Sequence, residues 1–91
     1  MISIPKTFEL GGRTWTVKLV GKRKWYGQTT PHECKIELSK LCRTPEAELH
    51  TFLHELLHAA AITMGWSKFN NDEEHIDAMA SLLQQALTTA K

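Results

Sequence analysis

Residues 44–65 run TPEAELHTFLHELLHAAAITMG, a stretch that reads as one amphipathic helix around which the rest of the chain is organised. Leu49, Phe52, Leu53, Leu56, Leu57 and Ala60 recur at helical spacing and make one apolar stripe. Both ends are marked. Thr44 can accept from the unpaired N–H groups of the first turn, Pro45 suits a position where no N–H is needed, and Glu46 faces the positive end of the helix dipole. Gly65 supplies the left-handed residue that closes a helix, with Trp66 just after it.

Downstream, a second helix is expected from about Asn71, paired with Glu74 as a capping box. Its inward face would carry Ile76, Met79, Ala80, Leu83 and Leu87, and residues 66–71 would be the connecting loop. Upstream the period changes from helix to strand. Residues 7–10 and 13–20 alternate on either side of Gly11-Gly12, which is a hairpin signal because the glycines supply the positive φ of a two-residue turn. Trp15, Val17 and Leu19 share one face of it and Thr14, Thr16 and Lys18 the other. Residues 21–31 are a polar connection without clear period, and residues 34–39 alternate again as a third strand. The expectation is an α+β fold: a small antiparallel sheet of about three strands followed by two helices, in a single domain over residues 1–91.

Composition narrows the class. An apolar share of 42% and a charged share of 23% are those of an ordinary globular protein, and 91 residues is near the lower end of what a core sustains without staples. No run approaches the ~20 apolar residues of a membrane span. Residues 1–6 lack the charged head and apolar run of a secretory signal, so a cytoplasmic location is expected. Cys34 and Cys42, with seven residues between them, lack zinc-ribbon spacing and read as reduced structural residues. Charge is uneven: residues 1–43 hold nine Lys/Arg against three Glu, and residues 44–91 hold two Lys against seven Asp/Glu. A basic half can mark a nucleic-acid partner, but no nucleic-acid motif accompanies it, and lysines guarding sheet edges explain it more simply.

The chemistry lies inside the first helix, where His54-Glu55-Leu56-Leu57-His58 spells H-E-x-x-H. Residues at i and i+4 project from one side of a helix, so two imidazoles can hold one ion. Glu55, one step round, is placed to act as general base toward a zinc-bound water, whose pKa falls from 15.7 to about 7. The surrounding residues are apolar, and polar groups against a core are costly unless they have partners. Catalytic zinc takes three protein ligands, and Glu73, Glu74 and His75 are the candidates for the third. Glu74 has a capping role and His75 lies off the apolar face. Glu73 shares the face of Ile76 and Ala80, with Asp77 one turn later to accept a hydrogen bond from a ligand histidine. Glu73 is therefore preferred as ligand and Asp77 as its outer carboxylate, with Glu74 and His75 still open. His50, one turn before His54, cannot share an ion with His58 about 12 Å away along the helix, and reads as a flanking polar residue. His32 is expected in an exposed loop, and Trp15, Trp25 and Trp66 as core or sheet cover. Tyr26, His32 and His75 are each chemically able to stabilise an oxyanion.

With residues 54–59 and 73–80 in view, the chain resembles the minimal gluzincin-type zinc metallopeptidases, namely the SprT-like and ImmA/IrrE-like domains and small phage and prophage proteins of that kind. In gluzincins the third ligand is a glutamate on a following helix, with a carboxylate or amide four residues later touching a ligand histidine, and Glu73 and Asp77 match that spacing. The resemblance also implies a small antiparallel sheet before the motif helix. Its edge strand would bind extended peptide, and by analogy that would be residues 34–39. The functional expectation is a zinc-dependent peptidase acting on a protein or peptide substrate, without membrane association. Two other readings are a metal-stabilised binding module and a nucleic-acid-associated protein using Lys22-Arg23-Lys24-Trp25-Tyr26.

Overall fold

Gly11 and Gly12 sit at φ 61° and 76°, so the chain reverses in two residues and Leu10 faces Arg13 across the hairpin. This is the first feature of the computed structural model, which describes residues 3–91; Met1 and Ile2 of the opening stretch lie outside it. The hairpin pairs strands β1 (Thr7–Leu10) and β2 (Arg13–Val20) antiparallel, as the sequence predicts.

Beyond it the sheet departs from expectation. The connection read as aperiodic contains a further strand, β3 (Gly27–Thr30), followed by a single 3-10 turn at Pro31–Glu33 and then β4 (Lys35–Ser39). Cys34 is left-handed at φ 49°, so the last strand begins at Lys35. The order is β1-β2-β4-β3: β4 pairs antiparallel with β3 but parallel with β2. The sheet is thus mixed and four-stranded, not antiparallel and three-stranded. A parallel pair normally needs a helical crossover. Here β3 returns antiparallel one strand further out and β4 fills the gap between. The link before β3 is pinned at the end of β4, where the Ser39 hydroxyl donates to Trp25 O at 2.6 Å and Ser39 N to Tyr26 O at 2.9 Å.

Helix α1 (Pro45–Met64) has the caps the sequence announces. Thr44 Oγ1 accepts from Ala47 N at 3.1 Å, and Gly65 ends the helix at φ 74°. It lies across one sheet face, where Trp15, Ile36 and Leu38 meet Leu49, Phe52 and Leu53. Phe8 stacks on Trp15 and meets Phe52 edge-on, with ring centroids about 6 Å apart in both pairs. Ile36, Leu38 and Ile76 are fully buried, each contributing about 1.5–3 kcal/mol. Trp66, expected in the core or as sheet cover, is instead exposed, because it follows the helix stop, and Leu19, on the same face of the hairpin as Trp15, is exposed too. Both cysteines are buried free thiols; Cys42 donates to Thr51 Oγ1 and Tyr26 O.

The loop expected at 66–71 carries a one-turn helix, α2 (Ser67–Asn70), so Asn71 ends that turn and does not cap the next. The cap is Asp72, whose carboxylate accepts from His75 N at 3.2 Å, and α3 runs Glu73–Thr89. Ile76 and Ala80 bury against α1, whereas Met79, Leu83 and Leu87 remain exposed; α1 begins at Pro45, and Gln84 Nε2 already meets Glu46 O, so the last turns of α3 run past its end. Among the described residues no helix is long and apolar enough to cross a membrane.

Candidate metal centre

The α1 histidines occupy the side of that helix which α3 approaches. Ile76 and Ala80 fix the rotation of α3, and that rotation turns Glu73 and Asp77 toward the histidines. His54 Nε2 and His58 Nε2 both lie 3.0 Å from the same oxygen, Glu73 Oε1. The three donor atoms fall within 4.8 Å of one another, close enough for one ion. Glu73 achieves this while its side chain remains 67% exposed, so it leans over the site from the rim.

The other ring nitrogens are also held. His58 Nδ1 lies 2.8 Å from Asn70 Oδ1, and His54 Nδ1 3.3 Å from Asp77 Oδ1. Both outer partners are acceptors, so each Nδ1 carries the proton and each Nε2 turns a lone pair toward the Glu73 oxygen. Two imidazole lone pairs and an anionic oxygen converge on one point. That arrangement is repulsive unless a cation or a proton lies between them, so the donor set fits a divalent ion. Two imidazoles and one carboxylate suit zinc, and also nickel or cobalt.

The local charges agree. Burial disfavours charge on His58, but the hydrogen bonds that Asn70 Oδ1 and Glu73 accept from its ring, with the negative charge of Glu73 and Glu55, outweigh it and hold its pKa above the ordinary imidazole value. Asp77 is held below the ordinary carboxyl value, chiefly by its hydrogen bond to His50.

Glu55 points away from α3 and toward the sheet. Its carboxylate lies 2.7 Å from Thr29 Oγ1, which is also 3.1 Å from the Glu55 carbonyl oxygen. Gly27, two residues earlier and on the same face of β3, allows this approach: a Cβ there would stand 2.5 Å from Thr51 Cγ2 and 3.0 Å from Glu55 Cγ. A cleft of about 440 Å³ opens beside these groups, walled by Tyr26, Gly27, His50, His54, Glu55 and Asp77. Its rim strand is β3. The strand at 35–39, expected to be an edge, lies inside the sheet, and the edge on that side is β3.

The structure thus brings His54, His58 and Glu73 into one donor group, with Asp77 against His54 and with Glu55 beside them but turned to β3. Glu74 belongs to neither of the two donor groups formed by the described residues, and its supposed cap partner Asn71 is not the cap. His75 is exposed and held by Asp72 at 2.6 Å, and His32 is exposed beside Glu33. Of the three oxyanion candidates only Tyr26 lines the cleft. The sequence reading missed Thr29, Asn70 and the contact of His50 Nε2 with Asp77 Oδ1 at 2.8 Å. The i, i+4 spacing of His50 and His54 was the available signal for the last of these. Nothing local marked Thr29 or Asn70. Comparison of the chain with protein families, curated proteins and solved structures finds no match.

Proposed function

We propose that this protein is a zinc-dependent metallopeptidase of the gluzincin type, with His54, His58 and Glu73 as the metal ligands. The observation that supports it most is the convergence of both Nε2 atoms on one Glu73 oxygen while each Nδ1 faces an acceptor. When bound there, zinc supplies Lewis acidity, polarising a carbonyl and making water acidic near neutral pH. The remaining work falls to the chain. Glu55 takes a proton from the attacking water and returns it to the leaving amine. Thr29 holds one oxygen of Glu55 and leaves the other for that exchange. Asp77 and Asn70 keep the two ligand rings in the required tautomer. Tyr26, across the cleft, is the side chain placed to donate to a developing oxyanion.

β3 is an edge strand and its first residue, Gly27, lines the cleft with Glu55, so an extended peptide adding to that edge would carry a backbone carbonyl past Glu55. A peptide-library digest read by mass spectrometry tests the proposal. The zinc-loaded chain should cleave, and Glu55→Gln should retain zinc and lose about 10²–10⁴-fold in rate. No cleavage by wild type, or equal cleavage by Glu55→Gln, would refute it.

One observation favours an added nucleic-acid partner. The parallel pairing sets Val20 opposite Ser39, so the exposed Lys22, Arg23 and Lys24 leave the sheet at the same end as the exposed Lys40 and Arg43. DNA binding that falls steeply with salt supports this reading, and its absence at low ionic strength removes it.

A further inference from the structure

The helix α1 carries the i, i+4 histidine spacing twice, at His50/His54 and again at His54/His58. The second pair belongs to the site above. The first pair meets a carboxylate of its own: Asp77 Oδ1 lies 2.8 Å from His50 Nε2 and 3.3 Å from His54 Nδ1, and the three donors fall within 4.8 Å of one another. We propose that His50, His54 and Asp77 form a second divalent-cation site, which takes zinc through the His54 nitrogen that the first site leaves unused, so that the two sites exclude each other.

Three observations carry this. The donor chemistry repeats that of the first site, with two imidazole nitrogens and one carboxylate oxygen, a set that suits zinc, nickel or cobalt better than calcium or magnesium. The cleft wall includes His50, His54 and Asp77 but neither His58 nor Glu73, so a cation arriving from solution meets this triad on the open side. Third, His54 is equipped for either state. With Nε2 coordinated, its Nδ1–H donates to Asp77. With Nδ1 coordinated, its Nε2–H donates to Glu73 at 3.0 Å. A neutral imidazole has one lone-pair nitrogen and one N–H, so filling both sites together would require removing that N–H proton as well.

The second site is the weaker one, because its rings stand further apart: centroids 6.5 Å for His50 and His54 against 5.0 Å for His54 and His58. It would hold metal in the substrate cleft, and metal there withdraws His54 from the first site. The consequence is inhibition by a cation that occupies the cleft triad. This last step rests on the proposed peptidase reading; the binding site itself does not.

The test is a zinc titration of the full chain, with imidazole ¹⁵N shifts of His54 reporting which nitrogen is coordinated. Wild type should saturate at a single zinc per chain on His54 Nε2. His58→Ala should still bind zinc, now on His54 Nδ1, at least about 100-fold more weakly, beyond what losing an outer partner of a ligand costs. Adding His50→Ala to that variant should weaken binding by at least about tenfold more. If His58→Ala fails to fold, Glu73→Gln at its exposed rim position gives the same readout. Nε2 coordination in either first-site variant, no further loss with His50→Ala, or two zinc ions on wild type would each overturn the second site. Zinc on Nδ1 in wild type, with affinity indifferent to His58→Ala, would instead overturn the first site and leave the second standing.

Discussion

Replacing Gly27 by alanine puts the contact between β3 and α1 to a quantitative test. A methyl group there would stand 2.5 Å from Thr51 Cγ2, 3.0 Å from Glu55 Cγ and 3.3 Å from Glu37 O. Ordinary carbon contacts lie at about 3.5–4.0 Å, so β3 and α1 must separate by roughly 1 Å. Thr51 is buried and its hydroxyl accepts from Cys42, so it has little freedom to retreat. Overpacking of this kind costs about 1–3 kcal/mol, against about 0.4–1 kcal/mol gained from a less flexible unfolded chain. The net expectation is a loss of about 1–2 kcal/mol in chemical denaturation. The same displacement would stretch the Thr29–Glu55 hydrogen bond from 2.7 Å to beyond bonding range. A 1 Å error at a catalytic base can cost about 10²-fold, so kcat/KM should fall by that order. Zinc affinity should hold, since its ligands lie on α1 and α3. Unchanged stability together with unchanged hydrolysis would refute the close approach of β3 to the motif helix and, with it, the role given to Thr29.

Four further outcomes follow from other parts of the structure. Ile76→Ala, at a fully buried position, should cost about 2–5 kcal/mol in a denaturant melt and weaken zinc binding, because Glu73 rides on the helix that Ile76 anchors. Adding zinc at about 100 times its Kd should stabilise the fold by about 2.7 kcal/mol, and chelation should reverse this; a melt indifferent to zinc would count against the site. In the metal-free chain His58 lies above its ordinary 6.5, so it contributes stability below that pH which is lost as pH rises through the folded value. Zinc needs the neutral ring, so apparent zinc affinity should climb over the same interval, as a pH series of titrations would show. Asp77 lies below its ordinary 3.8, so its contribution is present above that value and lost as pH falls through the folded one.

What the sequence revealed depended on whether the signal was local. The motif helix was legible from Thr44 to Gly65 because caps and apolar spacing are properties of neighbouring residues. Glu73 was legible through its register with Ile76 and Ala80, which fixes the face of α3. Strand β3 was not: Gly-Gln-Thr-Thr has no apolar alternation, and it is a strand only because β4 pairs with it and α1 accepts Gly27 and Thr29. The parallel pairing of β2 with β4 likewise has no local mark, so the edge strand was assigned to the wrong segment. Asn71 and Asp72 are both good caps by residue type. The choice fell to the backbone, because α2 uses Asn71 to finish its own turn. That same short helix delivers Asn70 to His58, a long-range contact with no precursor in the sequence pattern.

The central claim is tested most directly by metal analysis of the purified chain by mass spectrometry, after zinc addition and gel filtration. The account predicts about one zinc per chain retained through the column by wild type and by Glu74→Ala, and little retained by His58→Ala and Glu73→Ala, whose residual binding at His50, His54 and Asp77 is at least about 100-fold weaker, since catalytic sites close on three protein ligands. A wild-type chain that retains no zinc, or one that needs Glu74 and not Glu73, would contradict it.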